Sequence, residues 1–281
     1  MSKAIQEKVL IVRNLTRQFG EGCEKCRSNP GTLERNYCPH CQTIYATREV
    51  SFDLYRGEIL GIVGESGSGK STLVRTLYFD QEATEGEAFL MDFEEGRENI
   101  LKVSSQQKRY LRDYLLGMVY QNPFLGLKMK FSALSNVAEK LIAAGGRHVG
   151  TMTDRAHELL DVVTIEDYRR KDAPENFSGG MQQRVQIAKA LSNNPPVLFL
   201  DEVTTGLDLS VQANVLDLIK EIQRNLGISM VIVSHDLGVI RMLADRTLVM
   251  LDGRVIEAGL TDQILEDPQH PYTQKLVQSL L

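Results

Sequence analysis

The sequence predicts an α/β fold of buried strands alternating with helices, with a block of helices inserted in its middle. Three observations predict it. Short β-branched apolar runs alternate with amphipathic stretches of helical period. One of those runs, Glu58 to Val63, passes straight into a glycine-rich turn. Near the C-terminus two strand-like runs flank Asp252-Gly253, a dipeptide that favours a hairpin turn.

In chain order, Val9–Val12 and Val50–Leu54 read as the first strands, Glu58–Val63 as the third, and a helix is expected from Lys70. From about Ser104 to Val163 the pattern is mostly helical, with a break at Gly145-Gly146, and a helical subdomain is placed over residues 104–175. After Ser178 a helix precedes the buried strand Val197–Leu200. A further helix fills Val211–Arg224, and Met230–Val233 is another buried strand. Thr247–Leu251 and Arg254–Ala258 form the hairpin, and two short helices complete a C-terminal segment over 246–281. No repeat of solenoid length and no low-complexity tract interrupts this order, so the 281 residues read as one domain.

With 42% hydrophobic and 25% charged residues the chain has a globular composition, and disorder is not expected. A net charge of −5 supplies no basic field, so nucleic acid is not an expected partner. The stretch Met1 to Lys8 is polar, without the apolar core of a signal peptide, and no apolar run approaches the roughly 20 residues of a membrane helix. A cytoplasmic location is expected.

Gly64-Glu65-Ser66-Gly67-Ser68-Gly69-Lys70-Ser71 fits G-x-x-x-x-G-K-[ST] between a strand and a helix. Its glycines let backbone N–H groups turn inward as an anion nest, while the new helix directs its positive end at a phosphate. Lys70 is placed to meet the β- and γ-phosphates of ATP, and the Ser71 hydroxyl to ligate Mg²⁺. Further on, the apolar strand Val197–Leu200 delivers Asp201 and Glu202 at the sheet edge where ligands gather. Asp201 suits Mg²⁺ held through its water shell, and Glu202 suits a general base on the attacking water.

All four cysteines fall in residues 20–45, as Cys23-x-x-Cys26 and Cys38-x-x-Cys41. Two tight knuckles at this spacing converge on one tetrahedral ion, and zinc is the first expectation. An iron-sulfur cluster is the competing reading, with two disulfides or four unligated thiols behind it. Pro30-Gly31 is expected to turn the chain between the knuckles, and His40 to lie exposed or behind the ligands.

At Ser178-Gly179-Gly180-Met181-Gln182 the chain resembles the ATP-binding cassette ATPases, whose diagnostic Ser-Gly-Gly-x-Gln-type run opens a helix about 20 residues before the acidic strand end. The resemblance implies a P-loop NTPase core of the ATP-binding cassette type, with the antiparallel β subdomain and inserted α-helical subdomain of that family. It also implies nucleotide contacts from Gly64, Ser66, Gly67, Gly69, Lys70, Ser71 and Thr72, and from Ser178, Gly179, Gly180 and Gln182. Gln121, in Val-Tyr-Gln-Asn-Pro, matches the family's metal- and partner-sensing glutamine, and His235 its γ-phosphate histidine. Thr205-Gly206-Leu207-Asp208 matches the loop that crosses the dimer interface, and Phe19 the aromatic on which adenine stacks. With one set of motifs, the chain is expected to pair head to tail with itself or a similar cassette, each ATP held between two protomers.

Within the family the resemblance is nearest to the cassette subunits of carbon-phosphorus lyase systems, which dock on a soluble phosphonate-degrading complex. Gly61–Lys70, Gly146–Gly150, Phe177–Arg184, Ser210–Ala213 and the tail from Ala244 through Thr273 carry it. Several of these stretches also resemble peptide- and nickel-importer ATPases, which need a membrane permease. Those importers commonly continue into a Pro- and Cys-containing extension, whereas this chain stops at Leu281. A third reading is an ATPase that activates or assembles an anaerobic metalloenzyme. Two features depart from the family: Val203 follows Glu202 where Pro is usual, and the cysteine segment is an addition.

Overall fold

The computed structural model describes residues 7–28, 31 and 33–278. Met1–Gln6 of the polar N-terminus and Pro30 of the expected turn lie outside the described residues. In chain order the strands are β1 (Lys8–Phe19), β2 (Ile44–Tyr55), β3 (Ile59–Val63), β4 (Glu85–Leu90) and β5 (Leu116–Val119). They continue with β6 (Val197–Asp201), β7 (Ser229–Val233), β8 (Arg246–Leu251) and β9 (Arg254–Leu260). By its internal contacts the chain divides into two compact units, Met1–Tyr55 with Ile59–Val103 and Val233–Leu281, and Arg56–Glu58 with Ser104–Ile232.

The first unit contains an antiparallel sheet in the order β2-β1-β4. Val9, Leu10, Val12 and Leu15 of β1 and Val50, Phe52 and Leu54 of β2 are buried. Both strands run to 12 residues, well beyond the apolar runs that predict them, because ladder hydrogen bonds and several register shifts carry the pairing through polar sequence. Asp53 ties β2 to β1 by ion pairs to Lys8 (2.8 Å) and Arg13 (2.6 Å). Burial pushes the Asp53 carboxyl up, but the two cations outweigh it and hold the pKa below the usual carboxylate range. Strand β4 is not anticipated from sequence: in Glu85-Gly-Glu-Ala-Phe-Leu the acids dilute the alternation that the pleat needs.

Every residue of β3 is buried, as a strand covered on both faces requires, and β3 runs parallel to β8 with Leu60 opposite Arg246. β8 turns back into β9 at Asp252-Gly253, as the dipeptide predicts, with both residues at positive φ (47° and 79°). The helix Lys70–Leu77 follows β3 and buries Leu73, Val74 and Leu77. The unit also holds the helices Glu24–Ser28, Leu237–Leu243, Thr261–Glu266 and Pro271–Gln278.

In the second unit β5 lies parallel to β6, Leu116 opposite Val197, within the order β5-β6-β7. The segment after Ser104 is mostly helical, as expected, but β5 adds a strand not anticipated from sequence. The helix Ser105–Tyr110, opened by a Ser104–Gln107 capping box, passes through a π-helical turn at Leu111–Leu115 and then straight into the buried run Leu116–Val119. A four-residue apolar run carries no period of its own, so only the parallel neighbour β6 decides that it is a strand. The helices Ala133–Ala143, Val149–Val162, Gly179–Ala190 and Leu209–Leu226 make up most of the remainder.

Candidate functional site

In the first unit, residues 64–69 turn between β3 and the helix that begins at Lys70. Gly69 sits at φ 100°, and a Cβ there would stand 1.9 Å from the Ala46 carbonyl oxygen of β2. Only glycine fits, and it lets the turn bring its N–H groups together above the helix start. Lys70 is buried, and its ammonium donates to the carbonyls of Gly64 (2.8 Å) and Glu65 (2.9 Å), folded back over the turn. A buried cation among backbone N–H groups at a helix N-terminus suits a polyanion, and the donor set fits a nucleoside triphosphate. Ser71 and Thr72, on the first helical turn, are half-buried. Phe19 ends β1, exposed, with the Arg17 guanidinium 4.6 Å from its ring centroid. His235, just past β7, is exposed ahead of the Asp236 helix cap.

The second unit gathers Gln121, Asp201, Glu202 and the Ser-Gly-Gly segment. Asp201 is fully buried at the end of β6, and Glu202 follows in the left-handed region at φ 47°. The Glu202 carboxylate accepts from Gln121 Nε2 (3.1 Å) and Thr205 Oγ1 (3.3 Å). With Val203 next in place of Pro, the backbone restriction that a proline sets on its predecessor is absent. The carboxylate is held instead by these side-chain bonds.

Ser178 caps the helix Gly179–Ala190, its hydroxyl accepting from the Met181 amide, so the first turn presents N–H groups. Gly180 is required by packing, since a Cβ would lie 2.3 Å from Val211 Cγ1. The Gln182 side chain, expected at the nucleotide, is turned inward and donates to the carbonyls of Pro174 (2.8 Å) and Phe177 (3.2 Å). Asp208 caps the helix Leu209–Leu226. The Val211 amide, then the Ser210 hydroxyl, hold its carboxyl below the usual range.

Two functional candidates, a pair of glutamines and a tyrosine, escape sequence reasoning. Gln183 and Gln186 are buried on the Ser-Gly-Gly helix. Gln183 donates to the Gln121 carbonyl (3.2 Å), and Gln186 bonds both the amide (3.2 Å) and the carbonyl (3.1 Å) of Tyr120. They tie the backbone that carries Gln121 to the helix opened by Ser178. Their i, i+3 spacing is a signal of a shared face, but their partners lie more than 60 residues away. The second candidate is Tyr272, whose hydroxyl accepts from the Glu65 amide (2.9 Å) across 207 residues.

The four cysteine sulfurs all lie within 4.8 Å of one another. Cys23–Cys26 and Cys26–Cys41 are 3.7 Å apart and Cys23–Cys38 3.9 Å. Four sulfurs bound at about 2.3 Å in a tetrahedron stand about 3.8 Å apart, so the donor set fits one ion. A [4Fe–4S] cluster, in which each cysteine binds a different iron, would spread the sulfurs wider than this, and a [2Fe–2S] cluster would separate them into two pairs, one on each iron. Cys41 is drawn down to about 6 by the Thr43 hydroxyl and then the Thr43 amide. Cys38 is pushed up to about 11, the Cys41 amide's lowering effect being outweighed by burial and the crowded sulfurs. His40 is exposed.

Residues 47–205 match the family described as ABC transporter. The chain is 48% identical over 233 residues to the putative phosphonates utilization ATP-binding protein PhnK of Escherichia coli (strain K12), a match that covers 83% of this chain and 90% of that protein. It is 37% identical over 237 residues to the oligopeptide transport ATP-binding protein OppF of Lactococcus lactis subsp. lactis (strain IL1403), covering 84% and 72% respectively. Among solved structures it resembles the dimeric post-hydrolysis state of the ATP-binding cassette MJ0796 bound to ADP and Pi, with TM-score 0.74 and 29% identity over 90% of this chain and 98% of that one. The structure of cbiO1 from Clostridium perfringens, part of the ABC transporter complex cbiONQ, is similar at TM-score 0.74 and 25% identity, covering 93% and 92%.

Proposed function

Because the chain belongs to the ATP-hydrolysing ABC transporter family, we propose that it drives a soluble phosphonate carbon-phosphorus lyase complex, working as a head-to-tail pair of cassettes. The observation that carries the partner assignment is the 48% identity to a phosphonate utilization protein over 90% of that protein's length. The 37% identity to an oligopeptide transport ATPase favours a second reading, an importer subunit on a membrane permease. Among the described residues no helix is long and apolar enough to cross a membrane.

Local geometry supports the roles of Lys70, Glu202, Gln183 and Gln186, and the family resemblance supports the others. Lys70 exchanges its two loop carbonyls for the β- and γ-phosphates, while the amides of residues 64–70 and the Ser66, Ser71 and Thr72 side chains complete the cradle. Ser71 and Gln121, with Asp201 acting through water, are the side chains assigned to Mg²⁺, which when bound would supply positive charge against the phosphates. Glu202 takes a proton from the attacking water, its carboxylate aimed by Gln121 and Thr205. His235 supports the γ-phosphate, and Phe19 stacks on adenine, a contact worth about 1–3 kcal/mol in base–aromatic systems. Ser178, Gly179 and Gly180 present their helix start to the ATP of the opposite protomer, with Asp208 in the crossing loop. Gln183 and Gln186 transmit movement of that helix to Gln121.

The cysteine knuckle holds a single structural zinc ion, as its sulfur spacing supports. Metal analysis of anaerobically purified protein tests this: about one zinc per chain is expected, and iron with sulfide but no zinc would reject it. Affinity capture from native lysate tests the partner. A detergent-free multisubunit complex is expected, and recovery only with a detergent-solubilised permease would select the importer.

A further inference from the structure

Residues 20–43, the segment that carries the cysteines, stand between the end of β1 and the start of β2. Among its described residues, few apolar side chains besides the sulfurs are buried. Its small core is Cys26, Cys38 and Tyr45, with Cys23, Leu33 and Cys41 packed around them. So few apolar groups cannot offset the chain entropy of about 20 ordered residues, so the bound ion supplies the folding free energy of the knuckle.

Two routes lead from this core to the phosphate loop, both within the first unit. The first passes through β2. The Tyr45 hydroxyl lies 3.4 Å from Cys26 Sγ, and the Tyr45 amide donates to the Asn36 carbonyl at 2.7 Å. The next residue, Ala46, sets its carbonyl against Gly69 so closely that a Cβ there would stand at 1.9 Å. A single peptide bond therefore separates a side chain bonded to a cysteine of the knuckle from backbone that presses on the loop's last glycine. The second route is direct: Arg35 Nη1 lies 3.7 Å from Glu65 Oε1. Glu65 is a node of the loop. Its carbonyl accepts from Lys70 Nζ and from the Ser68 amide (3.2 Å), and its own amide donates to Tyr272.

We propose that the metal knuckle is a positioning element of the nucleotide site, so that metal occupancy sets the affinity of the phosphate loop for Mg-ATP. The proposal rests on the metal reading above and extends it to regulation of the same chain's nucleotide site. When the ion leaves, Tyr45 loses its anchor, the start of β2 no longer backs Gly69, and Arg35 no longer reaches Glu65. The loop then samples conformations in which its amides do not converge. Coupling of this kind is reciprocal, so bound nucleotide also tightens the metal by the same factor.

The test measures binding of mant-ATP with magnesium to the full chain as purified, after stripping with a chelator under reducing conditions, and after one equivalent of zinc is returned. Stripping is expected to weaken binding by about fivefold or more, with recovery on zinc addition. Saturating mant-ATP is expected to lower the zinc dissociation constant by the same factor. Because stripping can disturb more than the loop, a charge reversal supplies a second arm. Arg35→Glu is expected to keep its metal and weaken binding about two- to fivefold, the range of an exposed ion pair. Arg35→Glu combined with Glu65→Arg is expected to recover most of that loss. A zinc-loaded protein whose affinity is indifferent to stripping overturns the proposal while leaving the metal reading intact. Purified protein with four free thiols and no metal overturns both. A double reversal that binds no better than Arg35→Glu alone removes the direct route.

Discussion

Replacing Gly69 by alanine tests how the phosphate loop is built. The new methyl carbon would lie 1.9 Å from the Ala46 carbonyl oxygen and 3.0 Å from its carbon, while the backbone sits at φ 100°, where L residues are strained. To reach even 3.0 Å from that oxygen, loop and strand must part by about 1.1 Å, the difference between 3.0 and 1.9 Å. The obstacle is backbone in a paired strand, so no side-chain rotation relieves it. Forcing a non-glycine residue into such a conformation costs about 1–3 kcal/mol before the clash is counted. Because the strain is relieved by opening the turn, the loss falls on phosphate binding: about 5- to 150-fold weaker mant-ATP affinity. Equilibrium fluorescence titration, with a thermal melt of the same sample, measures it. Wild-type affinity in a protein of wild-type stability would refute the placement of β2 against the loop.

Glu202→Gln is expected to bind Mg-ATP normally but to turn it over about 10²- to 10⁴-fold more slowly, and size-exclusion chromatography with ATP should then find the variant as a trapped dimer. Hydrolysis at the wild-type rate would show that Glu202 is not the base. Asp53→Asn is expected to cost about 1 kcal/mol of unfolding free energy at neutral pH by removing the pairs to Lys8 and Arg13. The folded pKa of Asp53 is depressed, so its contribution is present above the unfolded value of about 3.9 and is lost as pH falls through the folded value. The two proteins' denaturation midpoints should therefore converge in acid, and a constant gap down to the lowest pH would contradict this.

The phosphate loop is legible in sequence because its chemistry demands glycines and a lysine at fixed offsets, and a strand and a helix on either side of them. The convergence of the cysteine pairs is legible for a similar reason, since two C-x-x-C knuckles at this spacing suit one tetrahedral site, and the four sulfurs do lie within 4.8 Å of one another. What sequence hides is set by distant backbone. Leu116–Val119 is a strand because β6 lies beside it, and Glu85–Leu90 is a strand despite its acids because β1 pairs with it. Gln183 and Gln186 are buried because the Tyr120–Gln121 backbone supplies their partners, and Gln182 is turned away from solvent by carbonyls of its own preceding segment. Tyr272 reaches a loop amide that only the folded chain brings near.

The central claim is that this chain binds Mg-ATP on its lysine-bearing glycine turn and hydrolyses it. Steady-state phosphate release by the full chain, measured with and without magnesium and beside Lys70→Ala, addresses it most directly. Magnesium-dependent turnover by the wild type, and loss of both binding and turnover in Lys70→Ala, are the predicted results. Purified, folded protein with no affinity for Mg-ATP would contradict the account.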